Sequence, residues 1–147
     1  MIRREIVPLR EEYIEFVHDV MRENKDTLHA GDISLAQWRE CLLADDPDEA
    51  HFIILAGGVP AAWLKLNGLG GKKTAWISML VVRKPCQRQG LGSFAVRYAE
   101  DFVHGRGFRE MAIHTTLDNV AALRCYTKLD YMASKDKQQY TFRKKLK

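Results

Sequence analysis

An α/β fold is expected for this chain, a mixed and mostly antiparallel sheet with helices on its faces. Three features point to it. The runs HFIILA (51–56) and VPAAWLKL (59–66) flank Gly57 and Gly58, as two antiparallel strands joined by a tight hairpin do. The stretch TAWISMLVV (74–82) is apolar on both faces, which suits a central strand covered on both sides. Behind it, an amphipathic pattern from Leu91 and the run MAIHTT (111–116) complete a strand, helix, strand unit. With 147 residues and 46% hydrophobic content the chain can bury one real core, so one domain over 1–147 is expected.

The elements follow in order. Residues 1–8 (MIRREIVP) alternate as a first strand that Pro8 stops. Tyr13, Phe16, Val17, Val20 and Met21 recur at three- and four-residue spacing, placing them on one face of a helix to about Glu23. Asn24 to Ile33 is polar and reads as a loop. Ser34 and Gln37 form a capping-box pattern that opens a helix burying Leu35, Trp38 and Leu42. The hairpin comes next, then a second glycine turn at Gly68–Gly71 and the central strand. Leu91, Phe94, Ala95, Tyr98, Phe102 and Val103 form the stripe of a long helix ended by Gly105. After MAIHTT, residues 119–129 make a second late helix with Ala122, Cys125, Tyr126 and Leu129 inward, and 131–146 is hairpin-like, QQYTFRK being its clearest strand. The order is βααβββαβαβ.

No run reaches the roughly 18 to 20 apolar residues of a membrane span, and MIRREIVPLREE lacks the apolar stretch and cleavage site of a signal peptide. A cytoplasmic protein without membrane partners is expected. Cys41, Cys86 and Cys125 are too irregularly spaced for a disulfide framework or a metal site, so free thiols and no metal are expected. The formal charge of +4 is concentrated in RKKLK (143–147) and around Arg83, Lys84 and Arg88. Such charge reads first as a solvated edge and second as a site for an anionic small ligand. Nucleic acid comes third, because no nucleic-acid motif accompanies it.

The stretch CQRQGLGSF (86–94) carries the chemistry. It is not a Walker loop, because no lysine follows Gly90 or Gly92 in the required way. Residues 90–95 match GxGxxA, but RKPCQRQ separates the strand from the first glycine, against the dinucleotide-binding arrangement. Two readings remain. In one, the glycines simply permit a tight turn. In the other, the amides of residues 88–93 close on an anion at a helix N-terminus, with Arg88 adding a charged contact.

Gln87, Arg88, Gln89, Gly90, Leu91 and Gly92 match the pattern Q/R-x-x-G-x-G/A, and NVAALRCYTKLDY (119–131) is similar to N-x-x-A-x-x-x-Y-x-x-x-G-F through Asn119, Ala122 and Tyr126. These two motifs in register resemble those of the GNAT superfamily of N-acetyltransferases. The likeness covers the whole chain in element order and is residue-specific from about Ala75 to Tyr131. Asp130 and Tyr131 depart from it, standing where the family has Gly and Phe; Asp is less favourable than Gly at a position needing positive φ.

The resemblance implies a sheet of six to seven strands with about four helices, splayed between the fourth and fifth strands, and an activity that moves acetyl from acetyl-CoA to a primary amine of a small molecule or peptide. It implies that residues 88–93, including Ser93, wrap the pyrophosphate, that Leu80, Val81 and Val82 lie along the pantetheine arm, and that Asn119 contacts that arm or caps the next helix. Tyr126 would protonate the departing thiolate, and the Leu80 N–H would polarise the thioester oxygen. The fourth strand offers no carboxylate as base. Ser78, through a water, and His114, His29 or Asp32 are candidates, each with a plainer structural reading. Trp38, Trp63, Trp76, His29, Asp32 and His114 are the candidates for the acceptor pocket, where rings beside an acid would suit a cationic amine. A non-catalytic coenzyme A sensor on the same fold is the alternative, and a homodimer is compatible with either.

Overall fold

The computed structural model describes residues 2–28 and 30–147. Seven strands, β1 (Arg4–Pro8), β2 (Ala50–Ala56), β3 (Val59–Asn67), β4 (Thr74–Val82), β5 (Glu110–Thr116), β6 (Met132–Lys135) and β7 (Gln139–Lys145), form one sheet in the order β1-β2-β3-β4-β5-β7-β6. The helices are α1 (Ile14–Glu23), α2 (Lys25–Leu28), α3 (Leu35–Leu43), α4 (Leu91–Gly105) and α5 (Val120–Lys128). Every ladder is antiparallel except β4 with β5, the pair that α4 connects.

Most boundaries follow the local pattern. The hairpin turn places Gly57 and Gly58 at positive φ, as a two-residue primed turn requires. Ser34 caps α3 reciprocally: its hydroxyl accepts from the Gln37 N–H at 3.1 Å and its own N–H donates to Gln37 Oε1 at 2.9 Å. The long helix ends at Gly105 as expected, and the left-handed residue that closes it is Gly107: Gly107 has φ 93°, and Phe108 N–H reaches back to Val103 O at 3.0 Å in a Schellman closure. Two expectations change. The polar stretch after Glu23 is not all loop, because Lys25–Leu28 forms one short helical turn. The first strand begins at Arg4, and position 1 lies outside the described residues.

Alternation along the strands sorts the core into two layers. Phe52, Ile54, Leu64 and Leu66 pack with Ala95, Val96 and Ala99 of α4 and with Tyr126 of α5. Ile53, Leu55 and Trp63 pack on the other face with Val17 and Val20 of α1 and Trp38 of α3.

β4 breaks this rule once, and the break positions the site. Lys65 pairs with Met79 and Leu66 with Ile77, so Ser78 is an unopposed bulge residue. An extra residue reverses the alternation and strengthens local twist. Before it, Ala75 and Ile77 face α4; after it, Met79 and Val81 face α1, while Leu80 and Val82 take the α4 side. β5 pairs with β4 only at Thr74, Ala75 and Trp76. Beyond that point the strands part, as expected between the fourth and fifth. β4 is therefore flanked along its length on one edge only, and the Trp76 side of β5, β7 and β6 carries the exposed side chains of His114, Arg143 and Met132.

Candidate active site

The gap between β4 and β5 opens into a cavity of ≈ 630 Å³ bounded by the end of β4, the turn before α4, one side of α5 and the α1–α2 junction. The ladder determines which groups of β4 face it. Arg83 N–H donates to Ala61 O at 2.9 Å. In an antiparallel pair such bonds alternate, so Val81 and Arg83 turn their N–H and C=O toward β3, whereas Leu80 and Val82 turn theirs toward the gap. A strand edge with unfilled donors and acceptors can take an extended amide-bearing ligand as an added strand.

The turn at the end of β4 is shaped for an anion. A short 3-10 turn (Lys84–Cys86) is followed by Arg88 at φ 64° and Gly90 at φ 78°. Left-handed geometry is free of strain for Gly90 but unfavourable for Arg88. The first bond of α4 runs from Phe94 N–H to Gly90 O at 3.0 Å, so the Leu91, Gly92 and Ser93 amides are left without helical acceptors. Lys84, Arg88, Arg124 and Lys128 line the same cavity, no carboxylate lines it, and among the described residues none of the four forms an ion pair. Unfilled amides, a helix dipole and four uncompensated cations fit a ligand carrying several phosphate charges.

Side chains from distant elements hold this turn. Arg4 of β1 donates to Gln89 O at 2.7 Å and lies 5.7 Å from the Phe94 ring centroid. Asn24, buried at the end of α1, donates to Val20 O at 2.9 Å and to Val82 O at 3.4 Å. Gln87 donates to Asn24 Oδ1 at 3.2 Å and to Val82 O at 3.0 Å, and Glu23 accepts from the Lys84 N–H. The side chain of Gln87 is thus committed inward, positioning the turn, and Val82 O already has protein donors. The Gln89 side chain donates to Pro85 O at 3.4 Å, and the residue does not line the cavity.

On α5, Asn119 is the N-cap, its Oδ1 accepting from Ala122 N–H at 3.1 Å, and both residues line the cavity. Tyr126, 3% exposed, also lines it, with ring centroids 5.5 Å from Tyr131 and 5.5 Å from Phe142. Burial, with a smaller contribution from Cys125, pushes its phenol well above the ordinary value, so it holds its proton. Burial likewise raises the Cys125 thiol. Asp130 stands at φ 72°, and the helix closes over it as Tyr131 N–H donates to Tyr126 O at 3.0 Å.

The other candidates are scattered. Trp38 of α3 and Trp63 of β3 are core residues packed edge to face at 5.5 Å, so neither presents a ring to an acceptor. Asp32 is exposed, 4.0 Å from Lys25, and does not line the cavity. His29 lies outside the described residues. Ser78 is the bulge residue, and Trp76 and His114 stack on each other at 4.6 Å on the sheet face away from α5. The sequence pattern singled out none of Arg4, Asn24, Arg124 and Lys128, whereas Lys84 belongs to the basic cluster already noted. Arg124 and Lys128 were visible as an i, i+4 cationic pair on the motif helix, whereas Arg4 and Asn24 act across 85 and 58 positions and leave no local trace.

A sequence model described as the acetyltransferase (GNAT) family matches residues 12–131. Among solved structures, an acetyltransferase from Thermus thermophilus is similar at 21% identity and TM-score 0.81, with 97% of each chain covered. The PaiA N-acetyltransferase of Thermoplasma acidophilum, in complex with coenzyme A, is similar at 19% identity and TM-score 0.81, covering 97% of this chain and 99% of that one. The spermidine N-acetyltransferase of Vibrio cholerae, in complex with CoA and spermine, is similar at 12% identity and TM-score 0.84, covering 97% and 95%. A search of curated proteins finds no significant match.

Proposed function

Because the chain belongs to the acetyltransferase (GNAT) family, whose members use acetyl-CoA, we propose that it is an N-acetyltransferase acting on a primary amine of a small molecule or peptide by direct attack in a ternary complex. The observation that carries this reading is the cavity itself: unfilled α4 amides and four cations without an ion pair among the described residues at one end, the open edge of β4 along its wall, and a buried protonated phenol inside.

Acetyl-CoA supplies an activated thioester. The Leu91, Gly92 and Ser93 amides, with Arg88, Lys84, Arg124 and Lys128, would hold its phosphates. Leu80 and Val82 would bind the pantetheine amides through their backbone, and the Leu80 N–H would polarise the thioester oxygen. Tyr126 is the general acid, because burial keeps it protonated where a thiolate needs a donor. Holding amine and donor together removes much of the entropic barrier, and no covalent enzyme intermediate is required.

One observation favours a second reading, a coenzyme A binding module without turnover: residues 76–80 of β4 include no carboxylate to serve as base. The test has two stages. Acetyl-CoA should raise the melting temperature by mass action, and thiol release should then follow with at least one of spermidine, aminoglycosides, amino acids or peptides with free N-termini. Stabilisation without release from any acceptor would support the module instead.

A further inference from the structure

His114 stands at the mouth of the gap on the sheet face opposite Tyr126. Trp76 and Ala112 are the last paired residues of β4 and β5, and His114 is two positions farther along β5, where the strands part. The imidazole stacks on the Trp76 ring, centroids 4.6 Å apart and planes 30° apart, and its Nδ1 is 3.0 Å from Thr141 Oγ1 on β7. One ring nitrogen is therefore engaged and the ring plane is held, while the residue remains exposed to solvent. The charged groups facing it are few. β4 contributes none over 76–80. Arg143 of β7, whose guanidinium carbon is 5.4 Å from the Trp76 centroid, is ion-paired with Glu110 of β5 at 2.9 Å, and Asp136 in the β6–β7 turn interacts with His114 electrostatically.

Resting on the acetyl-transfer reading, we infer that His114 is the proton acceptor for the attacking amine. Thr141 takes the Nδ1–H and so directs the Nε2 lone pair to the substrate. An alkyl ammonium cannot attack, and most such groups are protonated at neutral pH. An imidazole changes charge in that range and suits the task. The ammonium loses one proton to Nε2, which passes it to solvent. The freed amine forms the N–C bond as the C–S bond breaks, and the second nitrogen proton replaces the one that Tyr126 gives to the sulfur. Acid and base thus act from opposite faces of the sheet, which the parting of β4 and β5 makes possible.

The test compares the parent, His114→Gln and Thr141→Val with acetyl-CoA and the better acceptor of spermidine and an alanyl N-terminal peptide. Turnover is followed from pH 6 to 9, together with acetyl-CoA affinity, melting temperature and ¹⁵N NMR of the imidazole in the ligand-free protein. His114→Gln should lower kcat by about 10²-fold, make the rate rise more steeply toward pH 9 as free amine accumulates, and leave affinity and melting temperature unchanged. The NMR should show the proton on Nδ1 of His114, a preference that Thr141→Val weakens together with a smaller loss of kcat. Parental rate and pH profile in His114→Gln, or a proton resident on Nε2, overturns the assignment while the transfer reading stands. Bound acetyl-CoA with no thiol release from the parent overturns both.

Discussion

The Arg4 guanidinium clasps the main-chain carbonyl of Gln89 at 2.7 Å while lying over Phe94, so a residue of the edge strand closes the turn before α4 from outside. Arg4→Met removes one solvent-exposed hydrogen bond, worth about 1 kcal/mol. The KM for acetyl-CoA should therefore rise about fivefold with kcat nearly unchanged, measured by steady-state kinetics and by calorimetric affinity. A fall in kcat at constant KM would contradict a positioning role.

Asn24 joins the end of α1 to Val82 and Gln87. Replacing it with Leu removes its side-chain hydrogen bonds to Val20 O, Val82 O and Gln87, which costs about 1–3 kcal/mol. Urea denaturation should show a lower midpoint and a melting point depressed by about 2–4 °C per kcal/mol lost. Gln87→Met should cost less, because Asn24 still satisfies Val82 O.

Tyr126→Phe should lower kcat about 10²-fold and leave acetyl-CoA affinity nearly unchanged. Because the folded phenol is held above its ordinary value by burial, turnover should show no alkaline decline from this group up to about pH 10. Tyr131, raised by burial and by its 2.7 Å bond to Glu100, behaves alike. Both phenols ionise more readily when unfolded, so their contribution to stability is complete below about pH 10 and declines as pH rises beyond it. Unfolding free energies measured between pH 8 and 11 should show this decline, reduced in Tyr126→Phe.

Asp130 and Gly90 test one backbone rule in opposite directions. Asp130 sits at φ 72°, so Asp130→Gly should stabilise the protein by about 0.5–1 kcal/mol. Gly90 sits at φ 78°, so Gly90→Ala should destabilise by about 1 kcal/mol, and Gly90→Glu, which adds bulk and negative charge among the cations, should abolish acetyl-CoA binding. Thermal unfolding and calorimetry separate these outcomes.

The hairpin, the capping box at Ser34, the central strand and both late helices were legible because each depends on residues within a few positions of one another. The glycine turn and the helix it opens were legible for the same reason: they are contiguous. The roles of Trp38 and Trp63 were not, since a tryptophan on a period-2 or period-3.6 face looks the same whether it meets a ligand or another ring, and here each meets the other. Gln87 belonged to the matching motif, yet its amide is spent on Asn24, a partner 63 positions away.

Residue order thus accounts for the elements, their succession and the chemistry of the turn at Gly90, because hydrophobic periodicity and backbone freedom act over short spans. The parting of β4 from β5, the Arg4 clasp and the Trp76–His114–Thr141 arrangement arise from strand pairing instead. Which side chains become neighbours across a sheet depends on register and on a single bulge at Ser78, and shifting either by one residue would turn a different set of groups toward the gap.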